Sequence, residues 1–199
     1  MTDLFSRYGW AVPTKDQTAT TTVKSLWSAV VQHWGCPEQI LTDRGAAFES
    51  DLLAQFCKLY GCTKMRTTPY HPQGNGACER FNQTVLSLLG SLGDNEQRHW
   101  PEQLPRLLQA YNNSEHSTTG LTPFFVMCGR HARLPVDVIS GVEFPRPRMD
   151  LDGWVQYHHD QLIRAYSQVE ARARHQQERD KWRYDWRVKD LLLMPGECC

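Results

Sequence analysis

Two carboxylates, Asp43 and Glu79, stand in segments built to position them. Asp43 closes the apolar run Gln39-Ile40-Leu41-Thr42 within ILTDRGAAFES. Glu79 follows the Gly-rich stretch TTPYHPQGNGACERFNQT, where a loop opens into a helix. Thirty-five residues separate the two. Carboxylates delivered from a strand end and a helix start can share divalent ions. A two-metal phosphoryl-transfer site uses hard oxygen ligands that clamp ions roughly 3.5–4 Å apart. Such a site generally takes a third carboxylate, and these residues offer no clear one.

The elements that must hold this pair read from periodicity. Residues 1–13 read as the tail of a strand, a turn at Ser6-Arg7-Tyr8-Gly9, and a second strand at Trp10-Ala11-Val12. Val23, Leu26, Trp27, Val30, Val31 and Trp34 follow helical spacing, so a helix is expected over about 17–34, stopped by Gly35 and Pro37. Trp27 and Trp34 lie on its apolar stripe, as core residues by default and as dimer contacts second. A second helix carries Leu52, Phe56, Leu59 and Tyr60, with Ser50 as N-cap and Gly61 as its stop. Lys64-Met65-Arg66-Thr67 reads as a short strand. Phe81, Val85, Leu88, Leu89 and Leu92 mark a third helix with Glu79 in its first turn. A fourth runs from near Trp100 to Ser114, and a short fifth starts at Thr122-Pro123. Strands alternating with helices indicate layered α/β architecture.

Beyond Leu134 the pattern changes. Residues 139–151 fall in a Pro-rich stretch without periodicity that reads as a linker. Residues 152–186 read as a long helix, dense in Gln, Arg and Glu and too polar for a core. Residues 187–199 read as the start of a further β-module.

Bulk properties bound the class. The 199 residues carry no net formal charge, which argues against a chain built mainly to coat nucleic acid. No apolar run approaches a membrane span, and the N-terminus shows no signal-peptide pattern. The seven cysteines make no CxxC pair and are odd in number. They read as free thiols in a reducing compartment, nuclear or cytoplasmic. His158, His159 and His175 match no metal-ligand spacing.

Taken together, HWGCPEQILTDRGAAFES, TTPYHPQGNGACERFNQTV and WPEQLPRLLQAYNNSEHSTTGLTPFFVMCGR resemble the integrase core of long-terminal-repeat retroelements, the Gypsy-type branch and its domesticated descendants above all. The resemblance covers about residues 1–138. It implies a ribonuclease-H-like three-layer fold: a five-stranded mixed sheet flanked by helices, with the long helix following. It implies polynucleotidyl transfer that cuts and joins DNA ends with Mg²⁺ or Mn²⁺ held by two Asp and one Glu. Asp43 matches the second Asp and Glu79 the Glu.

The resemblance implies a first Asp on a first strand ahead of the Ser6–Gly9 turn, and no residue here matches it. Asp3 falls by register at the end of the second strand, which is not a catalytic position. The chain therefore reads as N-terminally truncated or domesticated, with catalysis impaired. A non-catalytic module that binds nucleic acid or protein is the alternative.

Tyr70, His71, Gln73 and Asn75 match the active-site loop that touches DNA. Asn82, one turn after Glu79, matches a motif position that bonds DNA or orients the Glu. Gln83 stands where the family usually has a basic residue. Arg44, Lys64, Arg66 and Arg80 are candidates for phosphate contact, or ordinary solvated charges. DNA, and a second copy of the core, are the partners implied.

Overall fold

Gln39–Thr42 forms β1 and Thr63–Arg66 forms β2. They pair in parallel, Gln39 opposite Thr63 and Thr42 opposite Arg66. Parallel neighbours cannot be joined by a tight turn, so the chain crosses over through a helix. The computed structural model describes residues 1–67, 76–142 and 149–188. It divides into two compact units, Met1–Asn112 and Asn113–Cys199.

In the first unit, α1 (Ala19–Leu26) starts at Thr18, whose side chain accepts from Thr21 N–H at 3.3 Å. The helix continues through a π-helical turn, Trp27–Val31, into α2 (Gln32–Trp34). Gly35 ends it at φ 83°, a backbone conformation that costs other residues strain. The crossover helix α3 (Asp51–Leu59) is capped by Ser50, which accepts from Leu53 N–H at 3.4 Å. Leu53, Cys57 and Cys62 form a buried cluster against which Val23, Leu26, Ile40, Phe48 and Phe56 pack. This cluster fastens the β1–α3–β2 unit to the first helix.

A second cluster joins α4 (Gly76–Gly90) to α6 (Trp100–Asn112) through Phe81, Val85 and Leu104. A five-residue helix, α5 (Asp94–Arg98), stands between them and has no apolar periodicity to announce it. The N-terminal residues join this cluster through Gly9. A Cβ at Gly9 would fall within the Phe81 ring, so only glycine fits. Asn112, 4% exposed, donates from Nδ2 to Gly9 O at 3.0 Å and accepts Gly9 N–H on Oδ1 at 2.8 Å.

Of the five-stranded sheet implied by the resemblance, the described residues form one parallel pair. Among the described residues, the sheet is the β1–β2 pair, with one antiparallel bridge, Thr2 to Gly9. The hairpin expected over residues 1–13 is present in its bonds: Asp3 N–H to Tyr8 O at 2.9 Å and Trp10 N–H to Met1 O at 2.9 Å. It stops at a single bridge because no further strand among the described residues extends it.

In the second unit, Thr122 caps α7 (Pro123–Cys128), accepting Phe125 N–H at 3.2 Å, and Pro123 takes the first helical position. A short helix, α8 (Pro135–Ile139), occupies part of the stretch expected to lack structure. Asp137 creates it locally, accepting Leu134 N–H at 2.7 Å. The polar helix is α9, Leu151–Val188. It is not wholly solvated: Ala165 and Val169 are each 3% exposed, a narrow stripe one turn apart. A Cβ on Gly129, just after α7, would meet Leu162 Cγ at 2.8 Å, so α7 and α9 pack closely. Val188 ends this helix rather than beginning a strand, and residues 189–199 lie outside the described residues.

Replacing Asn112 with Ala leaves both backbone groups of Gly9 buried without partners. A loss of about 2–3 kcal/mol is expected in urea or thermal unfolding. A second expectation concerns pH. Burial, reinforced by the neighbouring Cys57 and Cys36, pushes the Cys62 thiol from its ordinary 9.0 up to about 12. The folded state holds that proton more tightly than the unfolded chain. The contribution is therefore full below about pH 9 and is lost as pH rises towards 12. The stability difference between wild type and Cys62→Ala should shrink across that window in denaturant titrations.

Candidate active site

The parallel strand β1 brings Asp43 to its C-terminal end, directly after Thr42, which is buried. This is where open α/β sheets place their ligands. Asp43 itself is exposed, and its Oδ1 accepts Gly45 N–H at 2.9 Å. That bond turns the chain away from the strand and fixes the carboxylate against its own loop. A Cβ on Gly45 would stand 3.1 Å from the same oxygen, which favours glycine two residues after the Asp.

Glu79 lies in the first turn of α4 and is exposed. Negative charge in the first turn complements the helix dipole. Phe81, two residues on, is 2% exposed and anchors this turn to the second cluster. Asn82 and Gln83 are exposed on the same helix. Arg80 is exposed, and its Nε donates to Gly76 O at 3.1 Å. Tyr70, His71, Gln73 and Asn75 lie outside the described residues.

The basic candidates separate into two kinds. Lys64 Nζ and Arg66 Nη2 both reach Glu49, at 2.9 and 2.7 Å. The Lys64 hydrogen bond, with the positive charges of Arg66, Lys64 and Arg44, holds the Glu49 carboxyl below its usual range. These two cations serve an internal pairing at the end of β2. Arg44, beside Asp43, is exposed and in no ion pair among the described residues.

Asp3 serves the turn, not a ligand set. Its Oδ2 accepts both the N–H and the hydroxyl of Ser6, each at 2.6 Å, and Ser6 is 1% exposed. Among the described residues, no three His, Cys, Asp or Glu gather as a metal site. The donor chemistry of Asp43 and Glu79 suits a hard divalent cation. The described residues nonetheless supply two carboxylates where two-metal chemistry takes more, so they fit such ions only in part.

Arg7 is the residue that the sequence reading passes over. It sits at φ 66° in the turn, partly buried, with Nε buried and unpartnered. Its signal was its place in the Ser6–Gly9 turn, where a left-handed residue is expected but Gly is not at that position.

Residues 1–72 match the family model described as integrase core domain. Over 144 residues the chain is 33% identical to the transposon Tf2-3 polyprotein of Schizosaccharomyces pombe, and equally to the Tf2-4 polyprotein. The chain belongs to the retroelement integrase core family. The alignment covers 72% of the chain and about a tenth of the length of these polyproteins.

The fold agrees. The HTLV-2 integrase catalytic core domain, in a trimeric form with magnesium, superposes with a TM-score of 0.51 at 22% identity. That match covers 63% of this chain and 80% of the other. The simian T-cell lymphotropic virus intasome, in complex with PP2A regulatory subunit B56 gamma, gives 0.54 at 23% identity, over 75% and 51% of the two chains. The described residues therefore have the ribonuclease-H-like fold of these neighbours, with Asp43 directly after β1 and Glu79 in the first turn of α4. No helix among its described residues is long and apolar enough to cross a membrane.

The role of Asp3 can be tested directly. Asp3→Ala removes two hydrogen bonds to buried Ser6 and should lower stability by about 1–3 kcal/mol in thermal unfolding. Mn²⁺ affinity, followed by calorimetric titration, should not change. A large loss of affinity without loss of stability would make Asp3 a metal ligand after all.

Proposed function

We propose that this chain is the catalytic-core portion of a protein that cuts and joins DNA ends by polynucleotidyl transfer. Asp43 and Glu79 are its two metal-holding carboxylates. The observation that carries this reading is their placement: one closes a parallel strand, the other opens a helix, inside a retroelement integrase core. Mg²⁺ or Mn²⁺, when bound, supplies Lewis-acid chemistry to phosphodiester attack. The chain's own part is positional. The Asp43 loop, pinned by Gly45, presents one carboxylate; the first turn of α4, pinned by Phe81, presents the other. Arg44, Arg80 and Asn82 flank them as contacts to the DNA backbone, with Tyr70, His71, Gln73 and Asn75, in the sequence just ahead of Glu79, as further contacts.

With two carboxylates in place and Asp3 committed to its turn, the 199 residues acting alone are impaired in catalysis. The engagement of Asp3 by Ser6 also favours a second reading, a domesticated module that binds nucleic acid or protein without catalysis. A second copy of the core is a further proposed partner, and the nucleus or cytoplasm the proposed compartment.

One assay separates the readings. Mg²⁺-dependent joining of labelled DNA ends by the purified chain should be orders of magnitude below that of a complete site, and Glu79→Gln should abolish what remains. Robust joining that Glu79→Gln removes would refute impairment. Duplex binding without metal that survives both Asp43→Asn and Glu79→Gln would support the non-catalytic module.

A further inference from the structure

Asp43 is exposed and makes no ion pair among the described residues, so its own side chain does little to hold its loop. A ligand on a loose loop binds weakly, because binding must first order it. The loop is secured at its other end. Glu49 stands six residues after Asp43, just before the Ser50 cap of α3. Both of its oxygens are taken: Oε1 accepts from Lys64 Nζ at 2.9 Å, and Oε2 meets Arg66 Nη2 at 2.7 Å. Lys64 Nζ also donates to Phe48 O. Lys64 and Arg66 are alternate residues of β2 and share one face of it. Arg66 is paired in register with Thr42, the residue before Asp43.

From this grip a run of hydrogen bonds leads back to Asp43. The N–H groups of Glu49 and Phe48 donate to Gly45 O at 3.2 and 2.9 Å. Gly45 N–H donates to Asp43 Oδ1 at 2.9 Å. Ser50 Oγ donates to Ala47 O at 2.8 Å, and Phe48 packs on the Leu53–Cys57–Cys62 cluster. An isolated surface ion pair contributes little to a fold. This one differs in three ways. One carboxylate takes two cations, the Lys64 side chain is only 15% exposed, and its ammonium also holds a backbone carbonyl. A cation this far withdrawn from water needs its partner. With both oxygens engaged by cations, Glu49 is spent as a ligand in its own right.

We propose that Glu49 is a positioning residue of the candidate active site: by bridging Lys64 and Arg66 it ties the Asp43 loop to β2 and fixes the direction of the Asp43 carboxylate. Residues that orient a metal ligand in this way weigh on metal affinity without touching the ion. The effect on metal binding rests on the role proposed above for Asp43, whereas the clamp rests on the bonds themselves.

The test compares the whole chain, labelled with ¹⁵N, as wild type, Glu49→Ala, Glu49→Gln and Arg66→Gln. Backbone order parameters over residues 44–48 should lie near the rigid value of about 0.85 in wild type and fall below about 0.6 in Glu49→Ala. Glu49→Gln keeps an acceptor for Lys64 and should loosen the loop less. Arg66 is 61% exposed, so Arg66→Gln should leave the melting temperature nearly unchanged while loosening the same residues from the strand side. It carries the test if Glu49→Ala fails to fold. Mn²⁺ affinity, read by calorimetry and by broadening of the Gly45 amide, should weaken about tenfold in Glu49→Ala. A loop already mobile in wild type, or equally ordered in Glu49→Ala and Arg66→Gln, overturns the clamp. Weaker Mn²⁺ binding with an unchanged loop makes Glu49 a ligand and also overturns it. A loosened loop with unchanged Mn²⁺ affinity overturns the positioning role. If wild type binds no Mn²⁺ while the variants loosen the loop, the clamp stands and the metal-holding role of Asp43 falls.

Discussion

Everything near Glu79 depends on how Asn112 grips Gly9. One amide satisfies both the N–H and the carbonyl of a glycine 103 residues earlier in the chain. The bond is buried, so its loss exposes nothing to water that could replace it. With Gly9 held there, its missing Cβ leaves room for the Phe81 ring. Phe81 in turn packs against Leu104 and Tyr111 on α6 and sets the first turn of α4. The proposed carboxylate at Glu79 is thus oriented by a backbone contact far from it in sequence.

The other half of the proposed site is organised differently. Asp43 is placed by local means: a short parallel strand, the crossover helix that lets it pair, and the loop bond to Gly45. The thiol cluster of Cys57 and Cys62 sits under that crossover, with Cys36 packed against it. The chain therefore supports one carboxylate through contacts within about thirty residues and the other through long-range packing. A change that loosens the N-terminal turn disturbs Glu79 more than Asp43.

Much of this was legible in the sequence. Helix starts at Ser50 and Thr122 follow from small hydroxyl residues placed before apolar periodicity, and the stops at Gly35 and Gly61 follow from the freedom of glycine at positive φ. The flanks of Asp43 and Glu79 are specific enough to identify the family. Other parts have no local signal. The bond from Asn112 to Gly9 joins residues that periodicity does not connect. The helix at Pro135–Ile139 rests on one cap by Asp137, in a stretch too short for a pattern to develop. The stripe at Ala165 and Val169 is invisible against its polar neighbours, because two small apolar residues carry all of it. Arg7 is hidden for the opposite reason: an arginine in a turn looks like an ordinary solvated charge until its conformation is known.

The 38 residues of α9 have a mechanical consequence. At about 1.5 Å per residue such a helix runs roughly 57 Å. Beyond Val169 none of its described side chains is buried, and Trp182 and Tyr184 stand 68% and 62% exposed. Arg172 still lies against Gly120, but past it the helix is held by its own backbone ladder and by contacts along its surface such as Gln176 to Asp180, so its rigidity is set by fraying equilibria and not by a core. It behaves as a lever whose stiffness fades along its length, firm where Ala165 and Val169 are clamped and progressively compliant towards Val188.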